Sequence, residues 1–254
     1  MTKTHHAAVE AQFGARARAY VESAVHAAGE DLRRLAEIAA EAAPRRAIDL
    51  GTGGGHVAYA LSPHAAEVTA CDLSGEMLAA VREAAAERGL SNIWTCEAPA
   101  ERLPFEAGHF DFLGCRYSAH HWHDFEGGLR EARRVLAPRA KAVFIDVQAP
   151  GFALLDTHLQ AVELLRDTSH VRDYNAAEWL GALGRCGFLV QATRSFRVRM
   201  EFETWIARMR TPPDNVRAIR ALQAAASAET RAHFGIEEDG SFFLDVLLVE
   251  AQAA

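Results

Sequence analysis

The sequence has no hydrophobic run long enough to cross a bilayer: a spanning helix needs about 18–20 consecutive apolar residues, and nowhere do so many stand together. Stable membrane insertion is therefore not expected. Cysteine is scarce. Cys71, Cys96, Cys115 and Cys186 form no C-x-x-C pair, which argues against a disulfide framework or a thiolate metal knuckle and for a reducing compartment. A basic excess is also missing. Against 34 Asp and Glu stand 27 Lys and Arg, a formal charge of −7, the wrong sign for a nucleic-acid binder whose affinity comes from neutralising phosphates. The first twenty residues carry Glu10 and only short apolar stretches, so no secretory leader is expected and a cytoplasmic location is. Internal repeats and low-complexity linkers are absent.

What is present is an ordinary globular composition. The 254 residues are 50% apolar and 24% charged, enough to bury a core without disulfide or metal staples. At about 150 residues per domain the length gives roughly 1.7 domains, which reads as one domain with a sizeable appendage. Alanine makes up about a fifth of the chain, so helix should exceed strand. The arginines at 194, 197, 199, 208, 210, 217 and 220 are diluted by Glu201, Glu203 and Asp214. They read as a solvated face or a site for an acidic small ligand.

From Arg16 to Ala43 apolar positions recur at helical spacing, broken at Gly29 and stopped by Pro44, which predicts two helices before the first strand. Ala47 to Leu50 then reads as a strand, followed by glycines, a helix to about Leu61, a strand Val68 to Asp72 and a helix from Ser74 to Gly89. Strands at Asn92 to Cys96, Phe110 to Cys115 and Ala142 to Val147 follow, with a helix from Asp124 to Leu136 before the last. Short joints between alternating strands and helices mean a parallel sheet with crossovers. Beyond residue 148 the pattern predicts helices at Phe152 to Arg166 and Asn175 to Arg185, strands at Gly187 to Arg199 and Ser241 to Glu250, and helical sequence between those strands.

The segment from Asp49 to His56, D-L-G-T-G-G-G-H, turns a strand into a helix. Glycines there permit positive φ and close approach of backbone to a ligand at a helix N-terminus. A dinucleotide, a phosphate or an adenosyl cofactor could bind such a joint. The dinucleotide fingerprint beginning at Gly51 puts His56 where its third glycine belongs, and the G-x-x-x-x-G-K-[ST] phosphate loop is not matched. Asp49 at the strand end would repel a pyrophosphate and attract a cation. S-adenosylmethionine has that sign. Asp72, closing the next strand, is placed for its ribose hydroxyls, and Met77 one turn into the following helix for its adenine face. Taken singly, Asp49 and Asp72 also read as turn or N-cap acids.

Ala47 to His56, Ala70-Cys71-Asp72-Leu73-Ser74 with Met77-Leu78, Ala100 to Phe105 with Gly108 to Asp111, and Glu131 to Pro138 together resemble class I S-adenosylmethionine-dependent methyltransferases. The likeness is to the small-molecule group typified by ubiquinone/menaquinone-biosynthesis C-methyltransferases, and it covers about residues 45 to 148. It implies a Rossmann-like α/β fold: a seven-stranded, mostly parallel sheet whose last strand is antiparallel, with an N-terminal helical lid and a helical cap inserted before the last strand. In that likeness Gly51, Gly53 and Gly55 approach the cofactor, Asp49 helps hold its ammonium, Asp72 the ribose, and Ala100 offers its N–H to adenine. Leu73, Met77, Glu101 and Arg116 would line the same site, and Tyr20 or Arg18 would take the methionyl carboxylate. Pro99 departs from the pattern, standing where relatives carry an Asp that accepts from the adenine amino group; Glu97 or Glu101 is the candidate to replace that acceptor. Arg139-Ala140 departs too, replacing two turn glycines.

Methyl transfer from a sulfonium needs alignment and, for some acceptors, a base. His120 and His121, just beyond the fourth strand, are the candidate catalytic residues, though a purely structural pair is the competing reading; His123 with Asp124 reads as a helix start. No metal is expected from this histidine run, because consecutive side chains diverge. Tyr117, His170, Arg172, Trp205 and Arg208 form an aromatic and cationic set suited to an acceptor, with Trp205 and Met209 alternatively core of a cap helix.

The expected organisation is one domain over 1–254: a lid over 1–44, a cofactor-binding core over 45–148, and C-terminal strands with a substrate cap over 149–254. The expected activity is S-adenosylmethionine-dependent methylation of a small molecule, with no nucleic-acid partner. The acceptor and the oligomeric state are not legible. A nicotinamide-dependent oxidoreductase and an idle cofactor-binding protein are the competing readings.

Overall fold

The computed structural model describes residues 4–13 and 29–254. Short α1 (His5–Phe13) precedes α2 (Glu30–Ala42), whose stripe of Leu32, Leu35, Ile38 and Ala39 is buried and whose first turn carries Glu30 and Asp31. Of the two predicted N-terminal helices, the second is α2, and the first, with Arg18 and Tyr20, lies outside the described residues. Ala43 takes a left-handed φ of 44° and Pro44 cannot continue the helix.

The strands β1 (Arg46–Leu50), β2 (Glu67–Asp72), β3 (Ile93–Glu97), β4 (Phe110–Arg116), β5 (Leu136–Val147), β6 (Phe188–Met200) and β7 (Phe242–Ala253) form one sheet of order β3-β2-β1-β4-β5-β7-β6. Only β7 runs antiparallel to its neighbours β5 and β6. The mostly parallel sheet with an antiparallel last strand is thus as expected. Between β1 and β4 the strand order reverses, and ligands of open α/β sheets bind in the crevice at such a switch, beyond the strands' carboxyl ends.

Crossover helices α3 (His56–Leu61), α4 (Gly75–Glu87) and α5 (Phe125–Val135) cover the two faces. Ser74 and Asp124 cap α4 and α5 by accepting from the N–H of Met77 and Gly127. Strand β5 starts at Leu136, directly after α5 and earlier than the pattern suggested. Arg139 there adopts φ 67°, the left-handed conformation that a turn glycine would take without strain.

Helices α6 (Ala153–Arg166) and α7 (Ala176–Arg185) follow β5, and α7 opens on a full capping box between Asn175 and Glu178. Between β6 and β7 lie α8 (Phe202–Met209), α9 (Pro213–Ala225) and α10 (Ala228–Phe234). With α6 they enclose a separate apolar cluster including Leu159, Phe202, Trp205, Ile219 and Phe234. Trp205 and Met209 are core of this cap, as their spacing allows. Arg197, Arg199 and Arg217 are paired with Asp245, Glu237 and Asp214, so the arginine-rich stretch is largely self-neutralised.

The loop 98–105 on the crevice rim is held from below. Glu131 accepts from the Leu103 N–H at 2.8 Å and from Arg134 at 2.7 Å, while Arg134 donates to the carbonyls of Leu103 and Phe105. Hydrogen bonds to charged groups contribute about 1.5–3 kcal/mol, so Glu131→Ala is expected to lower thermal unfolding by several degrees. An unchanged melting temperature would show that the loop is held some other way.

Candidate functional site

Two cavities open side by side at the carboxyl end of the sheet, of about 140 and 250 Å³. The first is built around the glycine loop. Gly51, Thr52, Gly53, Gly54 and His56 line it together with Asp72, Leu73, Met77 and Ala98 to Glu101. Gly51 has φ +73°, and a Cβ there would lie 1.8 Å from Ser118 Oγ, so no other residue fits. Asp72 spans the crevice: its carboxylate accepts from the Gly53 N–H at 2.8 Å and from the Ser74 N–H at 3.0 Å. Burial raises its pKa against those hydrogen bonds.

Asp49 and Gly55 stand elsewhere than expected. Neither lines the cavity. Asp49 Oδ2 accepts from the Thr52 hydroxyl at 2.5 Å and the Ala58 N–H at 2.9 Å, tying the loop to the first turn of α3. Its Oδ1 is buried with no hydrogen-bond partner among the described residues, and burial lifts the acid to about 7. Gly55 serves α3 packing, since a Cβ would lie 2.5 Å from the Tyr59 ring. Glu101 lines the cavity, but its carboxylate is engaged by His123, 2.7 Å from Nδ1, and lies 3.8 Å from His6. Glu97 does not line it.

Helix α1 closes the outer side. His6 and Val9 line the first cavity, and His5 Nε2 lies 2.8 Å from the His121 carbonyl. None of these three was read from the sequence, because α1 carries no strong apolar stripe.

The second cavity is bounded by α2, the 3-10 turn Ala119–His121, α6, β6 and α8. Arg116, Tyr117 and His121 line both cavities. Arg116 is buried and grips Asp31 of α2 at 2.6 and 3.2 Å, with its guanidinium 4.6 Å from the Tyr117 ring centre. Tyr117 has φ 52°, a strained position for a residue with a side chain, held where its N–H donates to the Ile145 carbonyl.

The adjacent histidines differ in charge. Burial pulls His120 down, but Asp146, 2.5 Å from Nδ1, with Asp173 and Glu163, raises it to about 9, so the ring is an imidazolium at neutral pH. Burial and the charge of His120 push His121 down to about 4. Its Nδ1 faces the Ser169 carbonyl at 3.1 Å, which places the single proton on Nδ1 and leaves Nε2 unprotonated.

Trp205 and Arg208 line the second cavity with Tyr117, but His170 and Arg172 line neither. His170 is held by Gln160 at 3.0 Å, and Arg172 by Asp156 at 3.0 Å and Glu178 at 3.2 Å. Both brace the loop between α6 and α7 rather than face an acceptor. Missed altogether were the cavity acids Asp31, Glu163, Asp167 and Asp173. They come from the first turn of α2, the end of α6 and the loop after it, with no spacing signal linking them to the histidines.

The methyltransferase domain family matches residues 48–144, from β1 into β5. The YafE protein of Escherichia coli (strain K12) is 43% identical over 80% of this chain and 99% of its own. An uncharacterized methyltransferase of Bacillus subtilis (strain 168), YcgJ, is 33% identical over 95% and 97%. The crystal structure of YcgJ superposes with a TM-score of 0.84 at 32% identity, covering 88% of this chain and 97% of that one. A putative methyltransferase from Bacillus halodurans C-125 gives the same TM-score of 0.84 at 31% identity, over 88% and 99%. Among shorter matches, a demethylmenaquinone methyltransferase of Thermus thermophilus is 39% identical over 48% of this chain and 57% of its own. No helix among the described residues is long and apolar enough to cross a membrane. With sequence likeness running nearly end to end and the glycine-loop crevice at its centre, the chain belongs to the methyltransferase domain family and is a methyltransferase enzyme.

Proposed function

We propose that this enzyme transfers a methyl group from S-adenosylmethionine, held in the first cavity, to a small molecule held in the second. The observation that carries the reading is the shared wall: Arg116, Tyr117 and His121 face both cavities, so a donor and an acceptor meet there. The residues fit the cofactor. Gly53 leaves open space where a side chain would stand, Asp72 retains acceptor capacity for ribose hydroxyls, and the buried Asp49 behind the glycine loop, with Oδ1 unpartnered, is an acid that a nearby sulfonium and ammonium would hold in its charged form. When bound, that cofactor supplies an electrophilic methyl group.

Alignment is the larger share of such a displacement. Arg116 and Asp31 fix the junction, while α1 serves as a lid over the first cavity. His121, neutral and unprotonated at Nε2, is the proton acceptor. A weak base suffices because an acceptor O–H or N–H becomes strongly acidic as the methyl arrives. His120 cannot take that proton; it presents a fixed positive charge. The nicotinamide reading gains nothing from the structure, since α3 begins at His56 where the dinucleotide fingerprint needs glycine.

Calorimetry with S-adenosylmethionine, S-adenosylhomocysteine and an oxidised nicotinamide dinucleotide tests the reading; dinucleotide binding without adenosyl binding would overturn it, and adenosyl binding with no acceptor across a metabolite screen would favour an idle protein. Asp72→Ala is expected to weaken S-adenosylhomocysteine by about 10–100-fold, the worth of a charged hydrogen bond. His121→Ala should leave that affinity intact and lower turnover by about 10²–10⁴-fold; full turnover in the variant would remove His121 from the chemistry.

The histidine charges have a signature in stability. His120 is raised from 6.5 to about 9, so its protonated form stabilises the fold fully below about pH 6.5, and that contribution is lost as pH rises through 9. Melting of wild type and His120→Gln between about pH 6 and pH 10 should show the steeper decline in wild type; parallel curves would contradict an imidazolium at this position.

A further inference from the structure

The cations lining the second cavity are largely spoken for. Arg116 is paired with Asp31, Arg166 with Glu163 at 3.3 Å, Arg197 with Asp245 at 3.0 Å, and His120 with Asp146. Asp167 accepts from the Ser169 N–H and hydroxyl. Asp173 is different. It lines the cavity, is 1% exposed, and its Oδ2 has no hydrogen-bond partner among the described residues. The nearest basic nitrogen, His170 Nε2, stands 3.9 Å away, donates instead to Gln160, and is kept neutral by burial and by His120.

The stretch of chain that carries this carboxyl is held in place. Gln160 clamps the Asp173 backbone from both sides, accepting from its N–H at 3.1 Å and donating to its carbonyl at 2.8 Å. A buried carboxylate with no partner is costly. Burial and Glu163 accordingly hold the acid well above the ordinary carboxylate range, against the pull of His120 and Arg166. What the cavity lacks at this spot is a positive charge with hydrogens to donate.

We propose that the methyl acceptor is an amphipathic amine whose protonated nitrogen is anchored by Asp173, with its apolar body against Val147, Phe196, Val198, Met200, Met209 and Leu244. This rests on the methyl-transfer reading of the second cavity. Those six side chains line the same space, so the ligand that answers the acid also meets an apolar wall.

A divalent metal is the competing occupant, since His120, Asp146 and Asp173 offer ligand atoms within 4.8 Å of one another. His120 Nδ1 and Asp146 Oδ1, however, are 2.5 Å apart and bonded to each other. Ligands at about 2.0–2.2 Å from a tetrahedral metal lie over 3 Å from each other, so these two atoms would have to part before both could hold a metal. An ammonium needs only Asp173 to accept its hydrogens.

The test is calorimetry on the full chain saturated with S-adenosylhomocysteine, using 2-phenylethylamine, 2-phenylethanol and phenylacetate as matched probes and manganese chloride alone as a fourth titrant. Wild type is expected to prefer the amine to the alcohol by about tenfold or more, the worth of a charged hydrogen bond, and to bind the acid least. Asp173→Asn should erase the preference, melt at or above wild type because a buried unpaired acid has been removed, and keep its S-adenosylhomocysteine affinity. Equal binding of amine and alcohol by wild type overturns the proposal without any variant. So does a preference that survives Asp173→Asn, or stoichiometric manganese binding that Asp173→Asn abolishes. Each of these outcomes leaves the methyl-transfer reading standing, whereas failure of S-adenosylhomocysteine to bind removes both.

Discussion

The 2.5 Å contact between His120 Nδ1 and Asp146 Oδ1 is the interaction on which the crevice depends. Asp146 lies near the end of β5 with its side chain 2% exposed, and its second oxygen also accepts from the His120 backbone N–H at 3.3 Å. The 3-10 turn is thereby fastened to the sheet. The His120 carbonyl in turn accepts from the N–H groups of Val171 and Arg172, which brings the loop between α6 and α7, with Asp167 and Asp173, into the cavity wall. The same pairing bears on charge: burial, and then the positive His120 beside it, keeps His121 neutral. One hydrogen-bonded ion pair thus places the turn, the acidic wall and the neutral histidine at once.

A second constraint is the concentration of ionic groups at the strand ends. Asp31, Arg116, Asp146 and Asp173 are each at most 8% exposed. Desolvating them is expensive, and a pair such as Arg116 and Asp31 recovers that cost only with close, two-pronged geometry. Such an arrangement is poor at maximising stability and good at fixing positions, which is what aligning two reactants demands. The two acids without full partners, Asp49 beside the glycine loop and Asp173 in the second cavity, mark the two places where a cationic ligand would complete the balance.

The sheet, the glycine loop and most helix starts were legible because they are local. Asp49 to His56 carries its turn in its glycines, Ser74 and Asn175 announce their helices, and Val68 to Asp72 and Ala142 to Val147 read as strands from composition alone. Among the cofactor candidates, Asp72, Leu73, Met77, Ala100, Glu101 and Arg116 do line the first cavity. What was not legible is non-local. Asp49 reads like a ligand group, yet the fold uses one of its oxygens to hold Thr52 and Ala58. Arg172 looks available in sequence until Asp156, sixteen residues upstream, closes on it. Asp31, Asp146 and Asp173 meet the histidine turn only through the sheet order and the α6–α7 loop, and no periodicity within one element reports such a meeting.

The most direct test of two cavities joined at Arg116, Tyr117 and His121 is a crystal structure with S-adenosylhomocysteine bound. The account predicts the ribose hydroxyls on Asp72, the adenine beside Ala100, and the sulfur pointing through the shared wall toward the cavity that contains Trp205 and Asp173. Sulfur directed away from that wall, or the adenosyl group seated outside the glycine-loop cavity, would contradict it.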